Sequence, residues 1–483
     1  MPNPNINRRT STSTIVTYCA EANALFDKWT AIGSPAPTAD KAAINETIIY
    51  LKNTGQWTLL DCLYKYDVHS KAAALIDWKN PTTRSATIVN DHGASFTAYV
   101  GLKGNGSNFR VLTNFNASTN GVNYTLNSAS HGIYINTIDA LSTKIDLSAE
   151  VANYSGINTT IFGGSSPVGT RNAVNNGSDS IDQVSTSMKG WHIVKRTASN
   201  AYQIRKNGQN TTRVTRATAS TSLPNLNVNL FCRNINDTTY SLFSNRYITG
   251  CFFGSGTIND SYLVNGLNIH SISVASMPSK VLLVDGNSFT ASGYYTQRTF
   301  ANINSSCVDF VNGLFGITTP TMTTNFATSL GYIDLSKYTK KVLFMWELTN
   351  DFTANASNAT TTYNNLVTYC QQVRTLKPDL KIVVATMMPR NNTQITNANR
   401  QNDSNLLDDT TLNGKIRNHL VQDGYADYIC DTASDPIMGI YSGGVAGVGE
   451  KNATYYSDQL HPTVTGYNYL TDNYIKQSIN LFI

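Results

Sequence analysis

The stretch SKVLLVDGNS, residues 279–288, decides the fold of the back half of the chain: a compact apolar run that breaks into Asp285-Gly286-Asn287-Ser288. Four more runs of the same kind follow it: CVDFVN (307–312), KVLFMW (341–346), KIVVATM (381–387) and DYICD (427–431). Each leads through a polar loop into a helical stretch. Apolar runs alternating with helices are parallel strands buried on both faces, so residues 277–483 are expected to form one α/β domain around a parallel sheet of about five strands.

In such sheets ligands bind outside the carboxyl ends of the strands, which makes the residues directly after each run the ones to read. They are Asp285 to Ser288, then Asn312-Gly313-Leu314-Phe315-Gly316-Ile317-Thr318, then Glu347-Leu348-Thr349-Asn350-Asp351. Ahead of the last helix comes Asp458-Gln459-Leu460-His461-Pro462. Each suits a part in ester hydrolysis. A serine at a sharp strand-to-helix turn exposes its hydroxyl while its own N–H joins the helix's positive end. Glycine lets backbone approach a substrate oxygen, so Gly316 is a candidate second N–H donor, and Asn350 offers a side-chain amide as a third. His461 is the candidate base; Asp458 would accept from its other ring nitrogen and fix the tautomer. Acid and base then come from one turn, with Pro462 at a helix start.

This ordered set resembles that of the SGNH (GDSL-type) hydrolases, and the resemblance covers Ser279 to Ile483. The nucleophile block, Gly-Asp-Ser, is matched by Gly286-Asn287-Ser288, and the oxyanion glycine by Gly316. The Gly-x-Asn-Asp block is matched by Leu348 to Asp351, and Asp-x-x-His-Pro in full by Asp458 to Pro462. The resemblance implies a three-layer, flavodoxin-like domain with Ser288, Asp458 and His461 catalytic and Ser288, Gly316 and Asn350 forming the oxyanion hole, without cofactor or metal. Two positions depart. Asn287 replaces the usual Asp and keeps a hydrogen-bonding side chain. Leu348 replaces a glycine and is expected to crowd the pocket. Each motif alone reads as an ordinary turn or helix cap; the four in order specify a site.

The front half reads differently. From about Ser11 to Tyr66 the pattern is helical, with an amphipathic stretch Ala20–Trp29 and a proline-marked turn, SPAPTAD (34–40), whose Thr38 or Asp40 would cap a helix over Lys41–Asn53. Residues 1–70 are thus expected to be a helical entry for attachment or packing. Short β-type runs such as WHIVKRT (191–197) and AYQIRKNGQNTTRV (201–214) then predict a two-sheet β-sandwich over 71–276. Asn207-Gly208 is a hairpin turn because both residues tolerate positive φ. GLKGNGSNFRVLTNFNAS (101–118), that hairpin and FFGSGTIND (252–260) resemble concanavalin-like (laminin-G-like) jelly-roll modules. The helical entry plus sandwich resembles segments of bacteriophage tail or fibre proteins.

Composition bounds the rest. Of 483 residues 41% are apolar, enough for real cores, while only 14% are charged, against about 25% in an average soluble domain. The balance of 36 basic and 31 acidic residues leaves +5, and no basic run exceeds Arg8-Arg9; no nucleic-acid partner is expected. No window approaches the roughly 18 apolar residues of a membrane helix, and no apolar core follows the N-terminal arginines, so neither a membrane segment nor a secretion signal is read. Seven cysteines lie far apart without a C-x-x-C, the usage of reduced, mostly buried thiols in a chain made in a host cytoplasm. His419, in KIRNHLVQD, reads as a surface or satisfied histidine; Asp408, Asp409 and Asp423 read as a solvated face, and no histidine spacing supports a metal.

The expected function is a serine esterase removing O-acyl groups, O-acetyl first, from an acylated bacterial surface polysaccharide. On the phage resemblance it would be a virion tail or fibre part, partnered by other virion proteins and homo-oligomeric, a trimer among the options. Two alternatives stand beside it: an inactive glycan-binding adhesin, for which Leu348 is the motive, and a structural virion protein.

Overall fold

Alternation inside each apolar run builds the back half. The computed structural model describes residues 17–137, 144–151, 156–162, 168–176, 180–185, 189–207, 214–275, 278–291, 299, 307–354, 358–390, 406–443 and 445–483. In the strand Lys280–Gly286, Val281 and Leu283 enter one apolar cluster and Leu282 and Val284 another, the period-two pattern of a strand covered on both faces. It pairs with Val308–Gly313 on one side and Lys340–Trp346 on the other; Lys381–Ala385 and Tyr428–Cys430 follow, and every pairing is parallel. Across the sheet the five strands run second, first, third, fourth, fifth.

Helices Thr319–Phe326 and Ala359–Leu376 cover one face through Met322, Phe326, Leu366 and Val373. Tyr467, Leu470, Ile475 and Ile479 of the C-terminal helical segment cover the other. Strand order reverses between the first and third strands, the place where ligands bind in sheets of this kind.

The front half holds two largely antiparallel sheets, with eight strands described in one and nine in the other. The first includes Gly190–Ala198, Ala129–Ile135 and Tyr247–Gly254; the second includes Arg110–Asn116, Lys144–Glu150 and Gly156–Phe162. Aromatic side chains fill the space between them. Phe115 stacks on Phe253 at 4.6 Å, and the Tyr64 hydroxyl donates to the Thr113 carbonyl at 2.7 Å.

Residues 1–70 are not helical throughout. Helices Ala20–Ala31, Thr38–Asn53 and Gln56–Leu59 are followed by a strand, Leu60–Lys65, antiparallel to Tyr247–Gly254. All six of its residues are buried, and a short, wholly buried run has no exposed face to reveal its period. Neither Thr38 nor Asp40 caps the second helix: Pro37 holds the N-cap position without a side-chain bond, and Thr38 is already helical. Inside 71–276, Asp260–Ser273 is a helix and not a β-type run. Asn259 caps it, accepting from the Ser261 and Tyr262 N–H groups at 3.1 and 3.2 Å. Eleven of its fourteen residues are buried, so no polar face marks it in the sequence. Asn207 takes the positive φ of 51° that its turn requires, while Gly208 lies outside the described residues.

All seven cysteines are free thiols, six of them buried. Among the described residues no helix is long and apolar enough to cross a membrane.

Candidate active site

Ser288 opens a four-residue helix, Ser288–Ala291, directly behind the first strand of the parallel sheet. As the first helical residue it has no intrahelical acceptor for its N–H. Asn287 makes the turn: its side-chain oxygen accepts from the Phe289 N–H at 2.9 Å, and its carbonyl accepts from Ala291 at 2.8 Å. An aspartate would serve the first bond with the same geometry, so this departure from the resembled pattern leaves the turn intact.

The His461 ring meets Ser288 across 173 residues of chain, with Nε2 2.9 Å from Oγ. Its Nδ1 lies 2.7 Å from Asp458 Oδ2. Nδ1 protonated and donating to Asp458, with Nε2 accepting from the serine hydroxyl, is the tautomer that satisfies both contacts. Asp458 is held by its own turn, Oδ1 accepting from the His461 and Leu460 N–H groups at 2.6 and 3.1 Å, with Gln459 at φ 60° between them. Burial pushes the Asp458 carboxyl up, but the bonds from the His461 ring and backbone outweigh it and hold the group below the usual carboxylate range. Phe289 presses edge-on against the imidazole at 5.6 Å. Pro462 does not start the following helix; that helix is Val464–Leu470, capped by Thr463, whose Oγ1 accepts from Gly466 at 3.1 Å.

Gly316 and Asn350 lie on two further loops, behind the second and third strands. The turn after the second strand is tied to the first, the Leu314 N–H donating to the Gly286 carbonyl at 3.1 Å. Gly313 lies so close to the helix Ser288–Ala291 that a Cβ there would stand 2.3 Å from the Ala291 nitrogen. Asn350 Nδ2 donates to the Ile317 carbonyl at 3.1 Å, which aims the amide beside Gly316 and leaves its second N–H uncommitted. Gly316 is exposed, at φ 70°, and nothing lies within 4 Å of where its Cβ would be. The structure thus brings Ser288, His461 and Asp458 into contact and binds the Gly316 and Asn350 loops together.

Two buried carboxyls that organise these loops were not singled out from sequence. Glu347 Oε1 accepts from the Asn350 and Asp351 N–H groups at 2.9 and 3.2 Å, and Oε2 accepts from the Thr319 hydroxyl at 3.2 Å. Burial, reinforced by the charge of Asp351, pushes Glu347 up to about 8. Asp285 accepts from the Tyr369 hydroxyl at 2.7 Å and from Asn312 Nδ2 at 2.9 Å, and burial raises it to about 7. An acidic residue at the end of an otherwise apolar run was the available signal. Leu348 does not project from its loop. It is wholly buried in the apolar cluster shared with Ile317, Met345 and Phe352.

Ser34, His69 and Asp40 bring the same three residue types together in the front half, with different consequences. His69 Nε2 is 3.2 Å from Ser34 Oγ but 3.1 Å from the Ser34 carbonyl, and Nδ1, 3.3 Å from Asp40, makes no aligned hydrogen bond. The Ser34 hydroxyl is shared with that of Ser70, and its N–H is spent on the Trp29 carbonyl. The cluster clasps a turn to the segment beside it and offers no oxyanion donor of its own. His419 pairs with Asp409 at 2.7 Å on the exposed surface. Among the described residues no cluster of His, Cys, Asp or Glu could hold a metal ion.

Comparison with protein-family models and with the curated proteins yields no match. Solved structures do match. A Clostridium thermocellum family 3 carbohydrate esterase is 18% identical, over 42% of this chain and 98% of that one, at a TM-score of 0.30. A Parabacteroides merdae protein provisionally named a GDSL-like lipase is 13% identical over 41% and 94%, also at 0.30. A Bacillus subtilis protein is 12% identical over 83% and 89%, at 0.32.

Proposed function

We propose that the chain is an SGNH-type serine esterase with a flavodoxin-like catalytic domain, removing O-acyl groups, O-acetyl first, from a carbohydrate. The observation that carries this reading is the unbroken chain Asp458–His461–Ser288, at 2.7 and 2.9 Å, at the carboxyl end of a parallel sheet. Ser288 Oγ attacks the ester carbonyl as His461 Nε2 takes its proton. The oxyanion is met by the Ser288 and Gly316 N–H groups and the free N–H of the Asn350 amide. His461 then protonates the departing sugar oxygen, and water, activated by the same ring, releases the acid from the acyl-enzyme. Asp458 keeps the ring in the working tautomer throughout.

The test is acetate release from acetylated polysaccharides by the wild type and its variants. Ser288→Ala should lower kcat by roughly 10⁴ to 10⁶, and Asn350→Ala by roughly 10² to 10³. Hydrolysis undiminished in Ser288→Ala would end the reading. The inactive-adhesin alternative drew on Leu348 filling the pocket, and the burial of that side chain in the core removes its motive.

The front half suggests where such an enzyme works. A sandwich rich in Asn, Thr and Ser and poor in charge suits a virion tail or fibre part carrying its esterase, as a homo-oligomer, to a bacterial surface polysaccharide. Detection of the chain in purified particles, with its oligomeric state measured by light scattering, tests this part separately.

A further inference from the structure

We infer that Phe315 is the platform on which the sugar ring bearing the acyl group stacks, a specificity residue for the reaction proposed above, on which this inference rests. Phe315 is 77% exposed. A single exposed apolar residue needs no explanation in itself. The placement of this one does.

Phe315 sits at the tip of the turn between the strand Val308–Gly313 and the helix Thr319–Phe326, immediately before Gly316. The turn is pinned on both sides of that tip. On one side the Leu314 N–H is bonded to the Gly286 carbonyl, two residues before Ser288, and Gly313 is packed on the Thr290 and Ala291 backbone. On the other, the Ile317 carbonyl holds the amide of Asn350. A tip tied to the nucleophile's strand on one side and to the amide donor's helix on the other stays beside them, with the ring's apolar surface in water.

The chemistry of the ring selects its partner. With the ester carbonyl between Ser288 Oγ and the Gly316 N–H and a small acyl group inside, the rest of the substrate must pass over the rim. A phenyl face is flat, apolar and π-rich, and it has no polar handle with which to hydrogen-bond an amide. The matching surface is the C–H face of a pyranose, whose hydroxyls lie around its edge. Stacking buries apolar area on both partners and leaves those hydroxyls in water. It acts on binding and not on the charge that develops at the carbonyl, so its effect belongs in KM.

The experiment compares the wild type, Phe315→Ala and Phe315→Tyr on an O-acetylated methyl glucopyranoside and on ethyl acetate, two acetate esters that differ in the ring. Phe315→Ala should raise KM for the glycoside roughly tenfold with kcat little changed, and leave ethyl acetate hydrolysis as it was. Phe315→Tyr should restore the wild-type KM. Equal losses on both esters, or an unchanged KM for the glycoside, would overturn the platform while leaving the esterase reading in place. A wild type that hydrolyses ethyl acetate and no acetylated sugar would instead remove the carbohydrate reading, and the platform with it.

Discussion

Leu348 is held at φ 61°, in the left-handed region, with none of its surface exposed. That conformation costs a leucine roughly 1–2 kcal/mol, whereas burial of the side chain is worth roughly 2–5 kcal/mol against alanine. Packing outweighs strain, and leucine stands where the resembled family has glycine. Leu348→Ala keeps the strain and loses the packing, so it should cost about 3 kcal/mol. Leu348→Gly also relieves the strain and should cost about 1 kcal/mol less than the alanine variant, the reverse of the usual order of these two residues. Urea unfolding of the pair decides the matter, and a glycine variant less stable than the alanine one refutes it. Its neighbour Glu347, pushed up to about 8, carries the proton at neutral pH when folded and loses it when unfolded. Between 4.5 and about 8 the folded state therefore binds more protons, and this group's contribution falls as pH rises, by at most about 1.4 kcal/mol per pH unit. Asp285, raised to about 7, has the same sign between 3.8 and that value. Glu347→Gln mimics the neutral acid and removes the Glu347 share. Its stability relative to the wild type should improve steadily from pH 5 to 8 in urea titrations, and a constant difference would contradict the assignment.

At the scale of elements, the site depends on how tightly the turn after the second strand is set against the helix Ser288–Ala291. The atoms nearest a Cβ at Gly313 are the Ala291 nitrogen and α-carbon and the Thr290 carbonyl carbon, at 2.3, 2.7 and 2.6 Å. All are backbone, so no side chain can swing aside and the turn itself must move. Since a shift of about 1 Å in positioned groups costs on the order of 10² in rate, Gly313→Ala should lower kcat about a hundredfold on any ester. Overpacking should also cost roughly 1–3 kcal/mol of stability. Steady-state kinetics with circular dichroism separate the two effects; full activity in a folded Gly313→Ala protein would show that the turn need not be held so closely.

At the scale of the whole molecule, the front and back halves share one core. The apolar cluster that starts at Ala22 runs through the sandwich and continues into one face of the parallel sheet at Val281, Leu283 and Leu343. Polar bonds cross the same boundary. Asn268 Nδ2 donates to the Tyr338 hydroxyl at 3.4 Å and Asn207 Nδ2 to the Asp309 carbonyl at 2.5 Å. Residues 277–483 cut free would expose apolar surface that the full chain covers. Each lost kcal/mol lowers Tm by roughly 2–4 °C in a domain of this size, so the excised half should melt several degrees below the intact chain. The intact chain should unfold in a single calorimetric transition. Two transitions, one at the melting point of the excised half, would show that the shared core does not couple them.

The order of the parallel strands' contents, the turn at Ser288 and the Asp458–His461 pair were legible in the sequence because each is local. An apolar run with a polar break marks the end of a strand, and three residues suffice to place a carboxylate under an imidazole. The strand Leu60–Lys65, the helix Asp260–Ser273 and the work of Glu347 and Asp285 were not legible, because complete burial removes the polar face from which a period is read. The 2.9 Å contact between Ser288 and His461 belongs to no segment of the sequence. It exists because Ser288 follows the first strand, while the helix Val464–Leu470 packs on a face of the same sheet and brings the loop before it, with His461, to that strand's end; only the folded domain sets the two side by side.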